Sequence, residues 1–254
     1  MNGGLLSDLA DLVLPRTCAG CGLPGAMLCR RCAALLAVPH LATPRRFPEG
    51  FPPTVAAGAY AGPVRPAVIA FKERGRSELA RPLGAALALA VAAVVAGVPE
   101  GWAPPGPVVL VPVPSSAAAL RTRGRDHVRE LSTVAAAELR ASGVAAEETR
   151  LLRRRGRLRD SAGLSAAERR ANLAGTFIAD RRPAVWPADG LLVLVDDVVT
   201  SGATLTEAAA VLAADGPADA APVLAAVVAA TPRERPGYGP GGLVDQLSGR
   251  GERV

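Results

Sequence analysis

Two adjacent aspartates, Asp196 and Asp197, end an apolar run in LLVLVDDVVTSGATL, and a turn of small and hydroxyl residues follows them. Thr200, Ser201, Gly202, Ala203 and Thr204 offer backbone N–H groups and hydroxyls where a helix begins, a combination suited to a phosphate monoester. Gly202 lets the backbone approach phosphate oxygens, having no side chain. Two carboxylates beside a phosphate would repel the ligand unless they contact something else. Sugar hydroxyls, which donate hydrogen bonds, and a divalent cation are the natural partners. The stretch therefore predicts a sugar-phosphate site, with ribose as the sugar. The rival is the magnesium-binding strand end of a nucleotide hydrolase, but the chain contains no GxxxxGK[ST] phosphate loop.

A second group of chemically capable residues lies near the start. All four cysteines fall in CAGCGLPGAMLCRRC, as Cys18, Cys21, Cys29 and Cys32, two CxxC knuckles with seven residues between them. This spacing can place four thiolates around one tetrahedral zinc, with Gly20 and Gly22 easing the turns. Two disulfides or an iron site of the same ligands are the alternatives; a cytoplasmic setting argues against the disulfides. Four protein ligands leave a metal no open position, so the site is structural. So small a module needs the metal in order to fold.

These residues must be held by regular elements. TVAAGAY and PVVLVPVP, residues 107–114, read as strands, as do LLVLV and APVLAAVVAA. PVRPAVIAFK leads toward a long Ala-rich helix. Asp126 can cap a helix whose Val128, Leu131, Ala135 and Leu139 share a face, ended by Gly143. Ser165 and Glu168 make a capping box for another helix. A further helix runs from Leu205 to Asp215, closed by Gly216. Alternating strands and helices imply an α/β domain with a parallel sheet and helices on both faces. The expected organisation is a zinc-binding module over 1–40, a proline-rich linker over 41–53, the α/β domain over 54–232 and a mobile tail over 233–254.

Composition narrows the field. Half of the 254 residues are hydrophobic and 3% aromatic, so Ala, Val and Leu must build the core. The formal charge is +6 and the pI about 9.9, which suits phosphates or nucleic acid better than acidic partners. No secretory signal is visible. The uncharged stretch from Pro82 to Pro99 is just long enough to test as a membrane span, but its Ala and Gly content marks it as a buried helix. A cytoplasmic protein with no membrane partner is expected.

The motif VLVDDVVTSGATL resembles the phosphoribosyl-pyrophosphate motif of type I phosphoribosyltransferases. The resemblance implies that fold, with Asp196 and Asp197 as the catalytic pair on the ribose 2′ and 3′ hydroxyls and Thr200 to Thr204 around the 5′-phosphate. Taken together, the cysteine knuckles, FKERG, VPVP, RTRGRDH, LSAAERRANLAGTF and the acid pair resemble the ComF family, from about Leu14 to Thr231. Many members carry an Asn-Gln pair where Asp126 and His127 stand here, and a Gln where Ser161 stands.

Further roles follow from the resemblance. Pro114, Ser115 and Ser116 would present a pyrophosphate loop that Arg121, Arg123 and Arg125 neutralise, together with magnesium. RRRGRLRD, residues 153–160, would be a flap that excludes water; the alternative is a solvated arginine face. Lys72 is the only lysine, which suggests a position that needs a compact ammonium. His127 reads as a polar residue at a helix start, and Trp102 and Trp186 as loop packing. Two functions stand: an enzyme using phosphoribosyl pyrophosphate, or an adaptor in DNA uptake or repair that binds single-stranded DNA or DNA-processing proteins. The acceptor is not readable, and the chain has no spare cysteine for a glutaminase.

Overall fold

The computed structural model describes residues 17–44, 48–99, 106–155, 175–180, 189–216 and 222–232. The Ser165–Glu168 capping box, Ser161, most of the arginine flap, Trp102, Trp186 and the tail lie outside the described residues.

Among the described residues, eight strands and six α-helices follow in order. They are α1 (Arg30–Ala34), β1 (His40–Leu41), β2 (Thr54–Ala59), α2 (Val64–Glu73), α3 (Ala80–Ala96), β3 (Val108–Pro112), α4 (Ala117–Arg123) and α5 (His127–Ala141). Then come β4 (Ala146–Glu148), β5 (Leu152–Arg154), β6 (Phe177–Ala179), β7 (Leu191–Val199), α6 (Ala203–Asp215) and β8 (Leu224–Ala230). Six strands form one sheet in the order β1-β2-β8-β7-β3-β4. Every pairing is parallel except that of β1 with β2. β5 and β6 make a separate antiparallel hairpin.

The central strands β2, β3, β7 and β8 are largely apolar because both sheet faces are covered there. Side chains alternate, so successive residues enter different cores. Leu191, Val193 and Val195 of β7 join Val108 and Leu110 of β3 beneath α2, α3 and α5. Leu192 and Leu194 join Val109 and Val111 beneath α6 and the hairpin. The covering helices supply matching stripes, among them Leu205, Ala208, Ala209 and Leu212 on α6, and Val128, Leu131, Ala135 and Leu139 on α5. The stretch that passed as a membrane span on length is α3. Its Leu83, Leu87, Val91 and Val94 are fully buried in the first core.

Strand order also fixes where a ligand can bind. After β3 the chain crosses through α4 and α5 to β4 on one side; after β7 it crosses through α6 to β8 on the other. The carboxyl ends of β3 and β7 therefore flank a topological switch point, where open parallel sheets form their ligand crevice. Asp196 and Asp197 are the sixth and seventh residues of β7.

Around the expected boundary at residue 40 and along the expected linker over 41–53 the chain packs on the sheet. β1 falls across that boundary and pairs with β2, His40 opposite Ala56 and Leu41 opposite Val55. Leu36 belongs to the first core, and Ala42 and Phe51 are buried in the second. A Cβ at Gly58 would run into the Leu35 carbonyl, so the cysteine segment lies directly on β2. Its apolar residues complete the domain core, so it is not a separate bead on a tether.

The α3–α5 contact depends on a single glycine. A Cβ at Gly84 would lie 2.5 Å from Val134 Cβ. Substituting Gly84→Val should lower stability by about 1–3 kcal/mol through overpacking, read as a fall in the denaturation midpoint with unchanged m-value.

Candidate functional site

Alternation along β7 sends the two carboxylates to different faces. Asp197 shares parity with Val193 and Val195 and turns toward α2 and α5; it is 2% exposed. Lys72, at the end of α2, places Nζ 2.9 Å from Oδ2 and 3.2 Å from Oδ1. His127, the first residue of α5, sets Nε2 3.2 Å from Oδ2. The Val198 N–H donates to Oδ1 at 2.8 Å. Burial alone would raise the Asp197 pKa, but the His127 hydrogen bond and the Lys72 ammonium overcome it and hold the carboxyl far below its ordinary range. Lys72 is shifted upward: burial works against its charge, and Asp197 and Asp196 more than offset it.

Asp196 is different. It is half-buried, and Oδ1 accepts the Asp197 N–H at 2.8 Å. Beyond Asp197 it has no hydrogen-bond partner among the described residues. Burial, then repulsion from Asp197, pushes its pKa up to about 8. On its side stands Arg154 of β5, whose Nε donates to the Pro114 carbonyl at 2.9 Å and whose guanidinium lies 5.0 Å from the Phe177 ring centroid. Burial lowers the Arg154 pKa, and the nearby Asp196 opposes that shift.

The turn after β7 has the expected local form. Gly202 adopts φ +78°, and α6 opens without a side-chain cap. Thr200 and Ser201 are exposed, Ala203 and Thr204 half-buried. The need for glycine at 202 has its own local cause. A Cβ there would come 2.8 Å from the Phe51 ring and 3.2 Å from Pro44 Cγ, quite apart from any phosphate. Gly202→Val would strain the turn and displace Phe51, so it is no clean probe of phosphate binding.

The residues expected to hold pyrophosphate mostly have other partners. Ser116 caps α4 by accepting the Ala119 N–H, and Ser115 donates to Asp126, itself the cap of α5. Arg123 grips Glu73 through two contacts, 2.8 and 3.2 Å. Arg125 pairs with Glu130 and lies 4.3 Å from the Phe71 ring centroid. Arg121 and Arg150 have no acidic partner among the described residues. They line a cleft of about 780 Å³ with Ser115, Ser116, Arg153 and Arg154.

Of the residues that matter here, the sequence reading missed His127, Arg154 and Phe51. His127 is one of two histidines and is joined to a capping aspartate, a pattern that shows where a helix starts but not what lies over it. Arg154 was hidden in an arginine run. Phe51, one of four phenylalanines, sat among prolines.

The four cysteines form the second centre. Their sulfurs all lie within 4.8 Å of one another, and Cys21 Sγ is 3.7 Å from Cys29 Sγ. A tetrahedron with metal–sulfur bonds of about 2.3 Å has edges of about 3.8 Å, so the cluster is positioned to bind a metal ion such as zinc. All four are free thiols, not disulfides. Burial disfavours a thiolate at Cys18, but N–H groups led by that of Cys29, at 3.3 Å, lower its pKa to about 6. Burial and the neighbouring thiols push Cys32 upward. Loading a metal must therefore release protons.

No protein-family model matches this chain, and no curated protein matches it. Fold and site together define an α/β protein with a mostly parallel central sheet flanked by helices and a four-cysteine cluster able to hold a metal ion.

Two outcomes follow from the acid pair. Asn at position 197 keeps the shape but removes the charge that Lys72 and His127 face. Breaking a fully buried pair costs about 3–5 kcal/mol; Lys72 is 32% exposed, so Asp197→Asn should cost less, about 2 kcal/mol, in denaturant melts. Changing both aspartates to Asn would therefore destabilise the fold as well as alter the site, because Asp197 is buried. Asp196 works in the opposite sense with pH. Its folded pKa is raised, so its stability contribution is complete below about pH 4 and is lost as pH rises through about 8. The melting temperature should fall between about pH 4 and 8, and Asp196→Asn should flatten that fall.

Proposed function

We propose that this chain binds phosphoribosyl pyrophosphate, as a ComF-like protein with a type I phosphoribosyltransferase domain. The carrying observation is the acid pair at the carboxyl end of β7, at the switch point, followed by a left-handed Gly202 and an uncapped helix. Backbone N–H groups and hydroxyls of Thr200 to Thr204 would hold the 5′-phosphate, where the helix dipole favours negative charge. The open oxygen of Asp196 would accept a ribose hydroxyl. The ionised carboxylate accepts more strongly than the neutral acid, so binding below about pH 8 should be accompanied by proton release. Arg121 and Arg154, which line one cleft, would supply positive charge for a departing pyrophosphate. Magnesium, bound with the substrate, would add charge neutralisation there.

Zinc is the metal we assign to Cys18, Cys21, Cys29 and Cys32, as a structural ion without an open position. Elemental analysis of purified protein should give about one zinc per chain. Removing it, or changing Cys29→Ser, should also loosen the β1–β2 edge, seen as faster amide exchange at Val55 and Ala56. Exchange unchanged there would show that the module is independent of the sheet.

A second reading, the adaptor that binds single-stranded DNA, draws support from the arginine-lined cleft. Calorimetric titration with phosphoribosyl pyrophosphate, with and without Mg²⁺, separates the two. The parent should bind, ribose 5-phosphate should compete, and a free nucleobase should not. Loss of one charge-assisted bond in Asp196→Asn should weaken binding by roughly 10- to 100-fold, equivalent to about 1.5–3 kcal/mol. Equal affinity in that variant would remove the ribose assignment. Binding of DNA alone, with no pyrophosphate released in the presence of any acceptor, would favour the adaptor.

A further inference from the structure

We propose that His127 is a positioning residue for the ligand-binding carboxylate, and that Asp197 is its anchor and does not itself contact the ligand. This rests on the ribose-phosphate reading of the site and changes the division of labour within it.

Asp197 has no capacity left for a ligand. Oδ2 takes Lys72 and His127, while Oδ1 takes Lys72 and the Val198 N–H. The carboxylate is sealed from solvent on the α2–α5 face. Asp196, on the other face, keeps one oxygen open. The two are joined by the backbone: the Asp197 N–H donates to Asp196 Oδ1. Holding the Asp197 side chain therefore fixes the peptide that orients Asp196. Three elements meet in that hold, the end of α2, the start of α5 and the end of β7.

His127 cannot serve as a base toward a substrate. Its ring is 3% exposed, and its edge faces Phe71 with centroids 6.3 Å apart. Nε2 is spent on Asp197, and Nδ1 has no hydrogen-bond partner. A buried, unpartnered ring nitrogen costs stability, so its other nitrogen must supply something that an apolar residue would not. What it supplies is a donor aimed at Asp197 from a fixed helix start. Asp126 fixes that start by accepting the Arg129 N–H at 3.4 Å.

Imidazole ¹⁵N NMR of the full chain tests the anchor directly. A protonated Nε2 is expected, because Nε2 must donate to the carboxylate; a ring carrying its only proton on Nδ1 would overturn the proposal. Function is read with ribose 5-phosphate as the probe. His127→Gln keeps a donor of sufficient reach and should bind within about threefold of the parent. His127→Asn, which is too short to reach, and His127→Leu should each bind roughly tenfold more weakly or worse. Should His127→Leu fail to fold, the Gln and Asn variants still separate donor from shape. Equal affinity in all variants, or the same loss with Gln as with Asn, overturns the proposal. A parent that does not bind ribose 5-phosphate sinks the ribose reading alone. The anchor is then judged on the ¹³C shift of the Asp196 carboxyl, which should move in the Asn variant and stay in the Gln variant. A shift unchanged in both overturns it.

Discussion

The buried carboxylate of Asp197 is the constraint around which the site is built. An isolated carboxylate in an apolar interior is prohibitively unfavourable, so it persists only where cations and donors meet it. Lys72 arrives from α2 and His127 from α5, and neither can do so unless both helices pack correctly on the same sheet face. The ionic contact is thus satisfied only by the assembled fold. Asp196, one residue earlier in β7 and on the other face of the sheet, gains its character from that arrangement. Burial, together with the fixed negative charge beside it, drives it toward the protonated state.

The cysteine cluster belongs to the same chain of support. Arg76, just beyond α2, donates to the Thr17 carbonyl at 2.9 Å. Gly20 passes so close to the Pro63 carbonyl, ahead of α2, that a Cβ there would lie at 2.9 Å. The knuckles therefore brace both ends of the helix that carries Lys72. Four thiols of mixed protonation repel or compete with one another until a metal gathers them, so metal loading and the stiffness of α2 share one cause.

Much of this was legible in the sequence, for definite reasons. β3, β7 and β8 are long apolar runs, α5 has a cap and a helical stripe, and adjacent carboxylates at a strand end are rare enough to stand out. The switch point followed once strand and helix were seen to alternate. Other parts were not legible. β4, β5 and β6 have three residues each, too few for a period to show, and β5 is two-thirds arginine. The segment before β2 looked like a linker because prolines dominate it. Yet Phe51 lies over Gly202, and Thr54 turns its hydroxyl back onto the Pro52 carbonyl. Nor does a sequence show that adjacent aspartates in a strand face opposite ways until both covering layers are known.

The division between lysine and arginine makes physical sense residue by residue. Arg123 meets Glu73 fork to fork, and Arg125 and Arg154 lie over the faces of Phe71 and Phe177, all contacts that use a planar guanidinium. At Asp197 the geometry is otherwise. The cation must reach both oxygens of a carboxylate already flanked by an imidazole and a backbone N–H. A compact ammonium fits between them, while a planar fork would have to displace the imidazole to align. In a chain that uses arginine for every other cationic side chain, that steric demand is a sufficient reason for Lys72. The sole lysine and the buried histidine thus answer one requirement, a carboxylate held from two sides with no room for a third.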